Sequence, residues 1–281
     1  MAPPRNVSAL QRGIRLISAS NENAAHMQLI MANVVAGQFL TGAVMRGGAS
    51  LKLRYGDAVT RYTMDFDASR SISEDEFIEN YNKRLSLGWN GFSGRVVRMP
   101  KPRPRNVPGE YVMQPFEIKL TYNNRPWCTV DLELSYNEVG DADAFDIVPI
   151  PPEIVDGFCK LGLPEPAPFP LMKISHQIAQ KLHGVTDPDY VRAQDLIDLQ
   201  LMLAREKIDF ADVHAVCMRL FGNRRKHSWP PVPDTSSEEW RTSYGRLKAN
   251  LPVLPTIEDA TAWLNELIKR IGRAGVGIKS E

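Results

Sequence analysis

Two carboxylates one residue apart, Asp65 and Asp67, interrupt an alternating run in which Tyr62, Met64, Phe66 and Ala68 are the apolar partners. On a strand, residues two apart point to the same face, so the spacing predicts that both carboxylates converge on one side. Like charges that close raise each other's pKa, and a divalent cation relieves the repulsion. Magnesium suits such a pair, because it takes carboxylate oxygens together with substrate phosphates. The plain alternative is a solvated strand face. Seventeen residues earlier stands Gly48, in the turn Gly47-Gly48-Ala49-Ser50, whose backbone N–H groups and Ser50 hydroxyl are placed to hold the outer phosphates of a nucleoside triphosphate. A third element, Thr129-Val130-Asp131-Leu132-Glu133, alternates again. Asp131 and Glu133 share a face there, and one of the two would join Asp65 and Asp67 around a second metal. A two-ion centre suits phosphoryl transfer because it clamps the attacking and the leaving oxygen.

Further along, Arg192, Asp195 and Asp198 recur at intervals of three, with Leu196, Leu199, Leu201 and Leu203 as the apolar complement. The spacing predicts one charged helix face. Taken alone, an Arg192–Asp195 surface pair is worth less than about 1 kcal/mol. His176 and His183 sit in an apolar helical run, Ile174–Val185, where a histidine is more often a packed group than a base.

The elements that must position these residues divide by composition. Met27–Met45 carries no charged side chain over 19 residues. That is the length of a membrane span, but polar residues within it and the lack of aromatic or basic anchors predict a buried helix over 23–45. The Gly-Gly turn follows, then Leu51, Leu53 and Tyr55, compatible with either a strand or a helix. A strand over 62–68 comes next, then a helix over 74–87 with Ser73 as N-cap. Strands are predicted over 92–99, 111–122 and 126–136, the last two joined through Asn123-Asn124 as a hairpin. Prolines at 149, 151 and 152 and at 164, 166, 168 and 170 read as a stiff connector. Beyond them the pattern is helical, over 172–184, 188–205, 209–222, 237–249 and 256–274. The expected architecture is α+β in two lobes: an N-terminal mixed sheet with helices over 1–165 and a helical lobe over 166–281.

Bulk composition excludes little. The 281 residues are 43% hydrophobic and 24% charged, ordinary for a globular chain, and the net charge of +1 restricts any nucleic-acid surface to local patches. Three scattered cysteines without zinc spacing and the absence of a signal-peptide pattern fit a cytoplasmic protein. Two patches qualify for RNA. Residues 95–125 hold seven Lys/Arg against two acids, with Arg98, Lys101, Arg103 and Arg105 among prolines. Arg224 and Arg225, beside Lys226, His227 and Trp229, add an aromatic able to stack on a base.

In this order, Gly-Gly-x-Ser-Leu, Arg61-x-x-x-Asp65-x-Asp67, Gln180-Lys181-Leu182-His183 and Asp195-Leu196-x-Asp198-Leu199 resemble the AbiEii-type nucleotidyltransferase toxins, and within them the mycobacterial MenT toxins. The likeness runs from about residue 40 to about residue 232. It implies a nucleotidyltransferase-like first lobe, with Asp65, Asp67 and Glu133 as ligands of two Mg2+ ions. It implies Gly47, Gly48 and Ser50 on the phosphates of the NTP substrate, Lys181 on the triphosphate, and Asp198 as an acid needed for activity. Asp131 matches nothing in the family. The resemblance further implies an RNA acceptor, the tRNA 3′ end, whose extension would block aminoacylation and translation, and a cognate antitoxin protein, with no membrane role. The rival expectations are transfer to a protein or small-molecule hydroxyl, and a binding protein of this fold without turnover. Thr63, two residues before Asp65, is a further expected control point, since a phosphate on it would add about −1.5 to −2 charge beside the metal site.

Overall fold

The computed structural model describes residues 2–18, 20–63, 65–101 and 114–276. Its chain forms two compact units. The first comprises Met1–Asp57, Tyr62–Asn137 and Ala142–Met172, and the second Ala58–Arg61, Glu138–Asp141 and Lys173–Glu281. The split falls at 172/173, beside the expected 165/166, with two short excursions of the earlier chain counted in the second unit.

The first unit is mixed α/β, built on α1 (Val7–Ile17), α2 (Asn21–Gln38), β1 (Ala43–Arg46), α3 (Gly47–Tyr55), β2 (Phe66–Arg70) and α4 (Glu74–Leu87). There follow β3 (Phe92–Arg98), β4 (Pro115–Tyr122), β5 (Arg125–Tyr136), β6 (Phe145–Asp146), α5 (Pro152–Lys160) and β7 (Leu171–Met172). The seven strands form one sheet in the order β3-β4-β5-β2-β1-β7-β6. β2 runs parallel to β5 and β1 parallel to β7, and the other pairings are antiparallel. β4 buries every second residue, Phe116, Ile118, Leu120 and Tyr122, as strand periodicity requires of a sheet with one face in the core. The β4–β5 hairpin turns through Asn123 and Asn124, both with positive φ, the conformation in which asparagine is favoured over other side chains.

The charge-free stretch is helical, though only to Gln38, with Ser20 as N-cap accepting from the Asn23 N–H. Met31, Val34, Val35 and Ala36 are fully buried, and each of the larger ones contributes about 1.5–3 kcal/mol by leaving water. Its last residues are instead β1. Among the described residues no helix is long and apolar enough to cross a membrane.

The proline stretch packs onto the first unit at several points: Ile150, Pro151, Pro166 and Phe169 are buried, while Pro149, Pro152, Pro164 and Pro168 stay exposed. Pro152 opens α5, a position where its missing N–H costs nothing. Phe169 is buried against Gly37, where an added Cβ would stand 2.2 Å from the ring. The Gln38 side chain donates to the Ala167 carbonyl at 2.8 Å and accepts from the Ala167 N–H at 3.0 Å.

The second unit is helical: α6 (Ile174–Val185), α7 (Ala193–Leu203), α8 (Phe210–Arg224), α9 (Glu238–Leu247) and α10 (Ile257–Val276). α6 packs on α7 and α8, α8 on α10, and α7 on α9. α7 is buried nearly all round, which leaves its charged residues no route to water.

Candidate functional site

In the first unit the phosphate-type turn and the carboxylates meet through strand register. Arg46, the last residue of β1, pairs with Asp67 on β2, and Asp67 pairs with Glu133 on β5. β1 passes directly into α3, which begins at Gly47-Gly48. Gly47 has φ +69°, and a Cβ on it would lie 1.8 Å from Asp67 Oδ2. Only glycine lets the carboxylate come this close to the helix N-terminus. The first N–H groups of α3 have no partner within the helix and favour an anion.

Ser50 is fully buried and its hydroxyl donates to the Gly47 carbonyl at 2.9 Å, so this side chain closes the turn. Arg46 donates to the Ser135 hydroxyl at 3.1 Å, two residues beyond Glu133 on β5. Sequence reasoning passed over Arg46; the signal is a basic residue directly before the Gly-Gly pair.

β2 begins at Phe66, not Tyr62. Asp65 lies just before the strand and is exposed, while Asp67 is on it and half-buried. Thr63 lies outside the strand, so the shared-face argument that placed its hydroxyl beside the carboxylates fails. Glu133 is exposed as a residue, yet partial burial of its carboxyl raises it from the ordinary 4.5 to about 7, with the Asp67 and Asp65 charges and a hydrogen bond to Asp67 adding to the rise. Arg46 pulls the other way. Glu133 placed so keeps its proton to near neutrality, and a divalent cation fits that set of carboxylates in charge and in atom type. Among the described residues no group of three or more His, Cys, Asp or Glu is arranged to hold a metal ion, so the fit is one of chemistry and not of formed coordination. Asp131 faces Glu117 on β4.

The second unit holds the other motif residues in a buried ionic network. Lys181 on α6 donates to Asp195 Oδ1 at 3.1 Å and Asp198 Oδ2 at 2.7 Å, both on α7. Arg61 holds Asp198 through both carboxylate oxygens, Nε reaching Oδ1 at 3.0 Å and Oδ2 at 3.1 Å. Arg192 reaches Asp195 Oδ2 at 2.6 Å. Burial alone would lower the Lys181 pKa, but Asp198 and Asp195 outweigh it and the ammonium is held charged. Burial would raise Asp195, and Lys181 with Arg192 brings it below the usual carboxylate range. Gly184 makes room: a Cβ there would stand 2.4 Å from Asp195 Oδ2 and 3.1 Å from Arg192 Nε. In the Arg192–Asp195 pair the carboxylate is buried while Arg192 stays exposed, and Arg192 precedes α7, which starts at Ala193.

His183 is packed on Phe221 and His227, with ring centroids 4.8 and 4.5 Å away. Burial, then the Arg224 charge, pushes its pKa down to about 4, as befits a neutral core group.

The residues of the two basic patches differ in their partners. Arg98 pairs with Glu74 at 2.7 Å and lies over the Phe116 ring. Lys101 is exposed, and Arg103 and Arg105 lie outside the described residues. Arg224 is bidentate to Glu138 at 2.7 and 2.6 Å, and Lys226 is bound by Asp187 and Asp189. Arg225 is exposed at the left-handed C-cap of α8, and Lys226 beside it is exposed as well.

A family model described as nucleotidyl transferase AbiEii toxin, type IV toxin–antitoxin system, matches residues 29–266. No curated protein sequence matches the chain. Among solved structures, MenT4, a nucleotidyltransferase toxin of Mycobacterium tuberculosis H37Rv, superposes with a TM-score of 0.52 at 16% identity, over 96% of this chain and 98% of that one. JHP933 from Helicobacter pylori gives 0.50 at 16% identity, over 93% and 97%. At that identity the structures speak for the fold, while the family match spans most of the sequence. A Gly-Gly helix start pressed on a strand carboxylate, together with that match, makes this chain a nucleotidyltransferase of the AbiEii toxin family.

Proposed function

We propose that this nucleotidyltransferase moves a nucleotide from an NTP onto the 3′-hydroxyl of an RNA, with the tRNA 3′ end as acceptor, and that it depends on magnesium. The hydroxyl oxygen forms a bond to the α-phosphorus, the α–β phosphoanhydride bond breaks, and pyrophosphate leaves. The observation that carries the reading is the contact of Gly47 with Asp67, which sets an anion-binding helix start against a pair of carboxylates. Backbone N–H groups at the start of α3 would orient the phosphates. Asp65, Asp67 and Glu133 would hold the metal, which when bound supplies neutralisation of their charge and of the triphosphate's. Lys181 as a triphosphate contact rests on the family resemblance. Two of the three donors of its ammonium go to Asp195 and Asp198. Asp198 enters as a positioning residue for Lys181 and Arg61. Extension of tRNA ends would stop aminoacylation in the cytoplasm, and an antitoxin would restrain it.

The test is incubation of the protein with total RNA and each labelled NTP in turn, with and without magnesium. We expect a labelled RNA of tRNA size that requires magnesium and disappears in Asp67→Ala. No labelled RNA with any NTP would retire the reading. The engagement of Arg98, Arg224 and Lys226 in ion pairs favours one rival, transfer to a protein or small-molecule hydroxyl. The same incubation reveals it as label outside the RNA.

A further inference from the structure

We propose that the second unit carries a subsite for one unpaired nucleotide of the acceptor RNA on the flank of α8, a choice of ligand that rests on the transfer reading above. Met218, Phe221 and Gly222 recur at i, i+3 and i+4, so they share one face of α8, and its C-cap Arg225 follows at i+7. His214 begins the same stripe one turn earlier. The Trp229 indole lies along it, with ring centroids 6.0 Å from His214 and 5.4 Å from Phe221. His227 stands 5.0 Å from Phe221 by the same measure, and its Nε2 is 2.8 Å from the Thr186 hydroxyl. That hydroxyl gives its only hydrogen to the Leu182 carbonyl at 2.7 Å, so the imidazole donates to it and is held in place. Met218, Phe221, Gly222, Arg225, His227 and Trp229, with Ser228, line one cavity of about 360 Å³. That lies at the small end of the range for ligand sites.

The cavity has an aromatic floor and an open, cationic rim. Phe221 is buried and Trp229 and His227 are half-buried, whereas Met218, Gly222, Arg225 and Ser228 are exposed. A Cβ on Gly222 would meet nothing within 4 Å, so the space above the helix is open at the edge of the aromatic cluster. Of three consecutive cations, Arg224 is held by Glu138 and Lys226 by Asp187 and Asp189, while no carboxylate pairs with Arg225 among the described residues. Arg225 ends α8 at φ +52°, a left-handed conformation that glycine or asparagine usually supplies. A cation near a helix C-terminus is favoured by the helix dipole, but Arg224 in the last turn already provides one. What Arg225 adds is a guanidinium on the rim of the cavity.

An aromatic wall accepts the face of any base, and a planar guanidinium meets a phosphate through two donors. A base lying over Gly222 against Trp229, with its phosphate on Arg225, uses both. The arginine is exposed, so that phosphate sits at the surface, where an RNA chain has room to continue on either side. A free nucleotide offers the same groups, and the experiment separates the two sources.

The experiment measures binding of a labelled single-stranded RNA and of a labelled nucleoside monophosphate, each without NTP, to the full chain, to Arg225→Gly and to Gly222→Leu. Glycine suits the backbone at 225 and leucine has the higher helix propensity at 222, so both variants should melt no lower than the wild type. Arg225→Gly should bind RNA about 3–10-fold more weakly, with the salt slope reduced by about 0.7. Gly222→Leu fills the cavity and should bind RNA about 5–100-fold more weakly with the slope unchanged, since it removes a stacked base and no phosphate contact. The indole N–H resonance of Trp229, assigned by its loss in Trp229→Phe, should shift when RNA is added to the wild type. Unchanged RNA affinity in both variants, or an unmoved resonance, overturns the subsite. Monophosphate binding that both variants weaken, beside RNA binding that neither weakens, overturns the assignment to acceptor RNA. A wild type that binds RNA through Arg225 and the cavity yet labels nothing in the transfer assay retires the transfer reading and supports the subsite.

Discussion

At neutral pH the Glu133 carboxyl sits near the midpoint of its titration, about 7 against an ordinary 4.5. The folded protein therefore binds more protons than the unfolded chain between those values, and stability falls as pH rises through them. The contribution is complete below about 4.5 and lost once pH passes about 7. Melting in the presence of a chelator should show Tm declining from pH 5 to 8, with a shallower decline in Glu133→Gln. Equal slopes for the two proteins would mean that the Asp67–Glu133 contact does not control this proton. Lys181 makes the opposite case, a charge the fold insists on. Lys181→Ala leaves two buried carboxylates short of a partner and should cost about 3–5 kcal/mol. Lys181→Arg should recover stability better than transfer, because a planar fork replaces a compact ammonium. If Lys181→Ala melts like the wild type, the network is not the buried unit described.

At the scale of elements, the turn from β1 into α3 is the joint most sensitive to one atom. Gly47→Ala adds a Cβ where φ is +69° and Asp67 Oδ2 would be 1.8 Å away. The carboxylate or the helix start must move, and a displacement of about 1 Å can cost ~10²-fold in rate. We expect transfer to fall by that order with little loss of helix content by circular dichroism; retention of most activity would detach the turn from the site. The helices of residues 173–276, the 74–87 helix and the Asn123-Asn124 hairpin were legible because their periodicity, caps and turn residues are local signals. β1 was not, since Ala43–Met45 continues the uncharged run of α2 and only Thr41-Gly42 marks the turn between them. α1 has a clear cap, with Asn6 accepting from the Ala9 N–H at 2.9 Å, but its two buried residues, Leu10 and Ile14, make too thin a stripe to read. β2 was set four residues early because Tyr62 and Met64 prolong its alternation, and that error carried the Thr63 inference with it. Of the site, the residue types were readable and their partners were not. Nothing in the spacing says that Arg61, 137 positions before Asp198, is its ligand.

For the whole molecule, the excursions 58–61 and 138–141 matter more than their length suggests. Each delivers one charged group into the helical unit: Arg61 to Asp198, and Glu138 to Arg224. A fragment of residues 173–281 lacks both. Losing Arg61 alone removes a partner of a buried carboxylate, about 3–5 kcal/mol from a total that is ordinarily 5–15 kcal/mol. The fragment should melt broadly or not fold, and a sharp melt at the full-length temperature would contradict this. The same arrangement bears on how such genes can recombine. A single crossover at 172/173 between two relatives would give a mosaic whose helical half meets an arginine and a glutamate inherited from the other parent. Such chimaeras should survive where both parents keep those two charges and fail where one has drifted. The two halves of this chain are thereby bound to a common ancestry, although the junction between them looks like a place to cut.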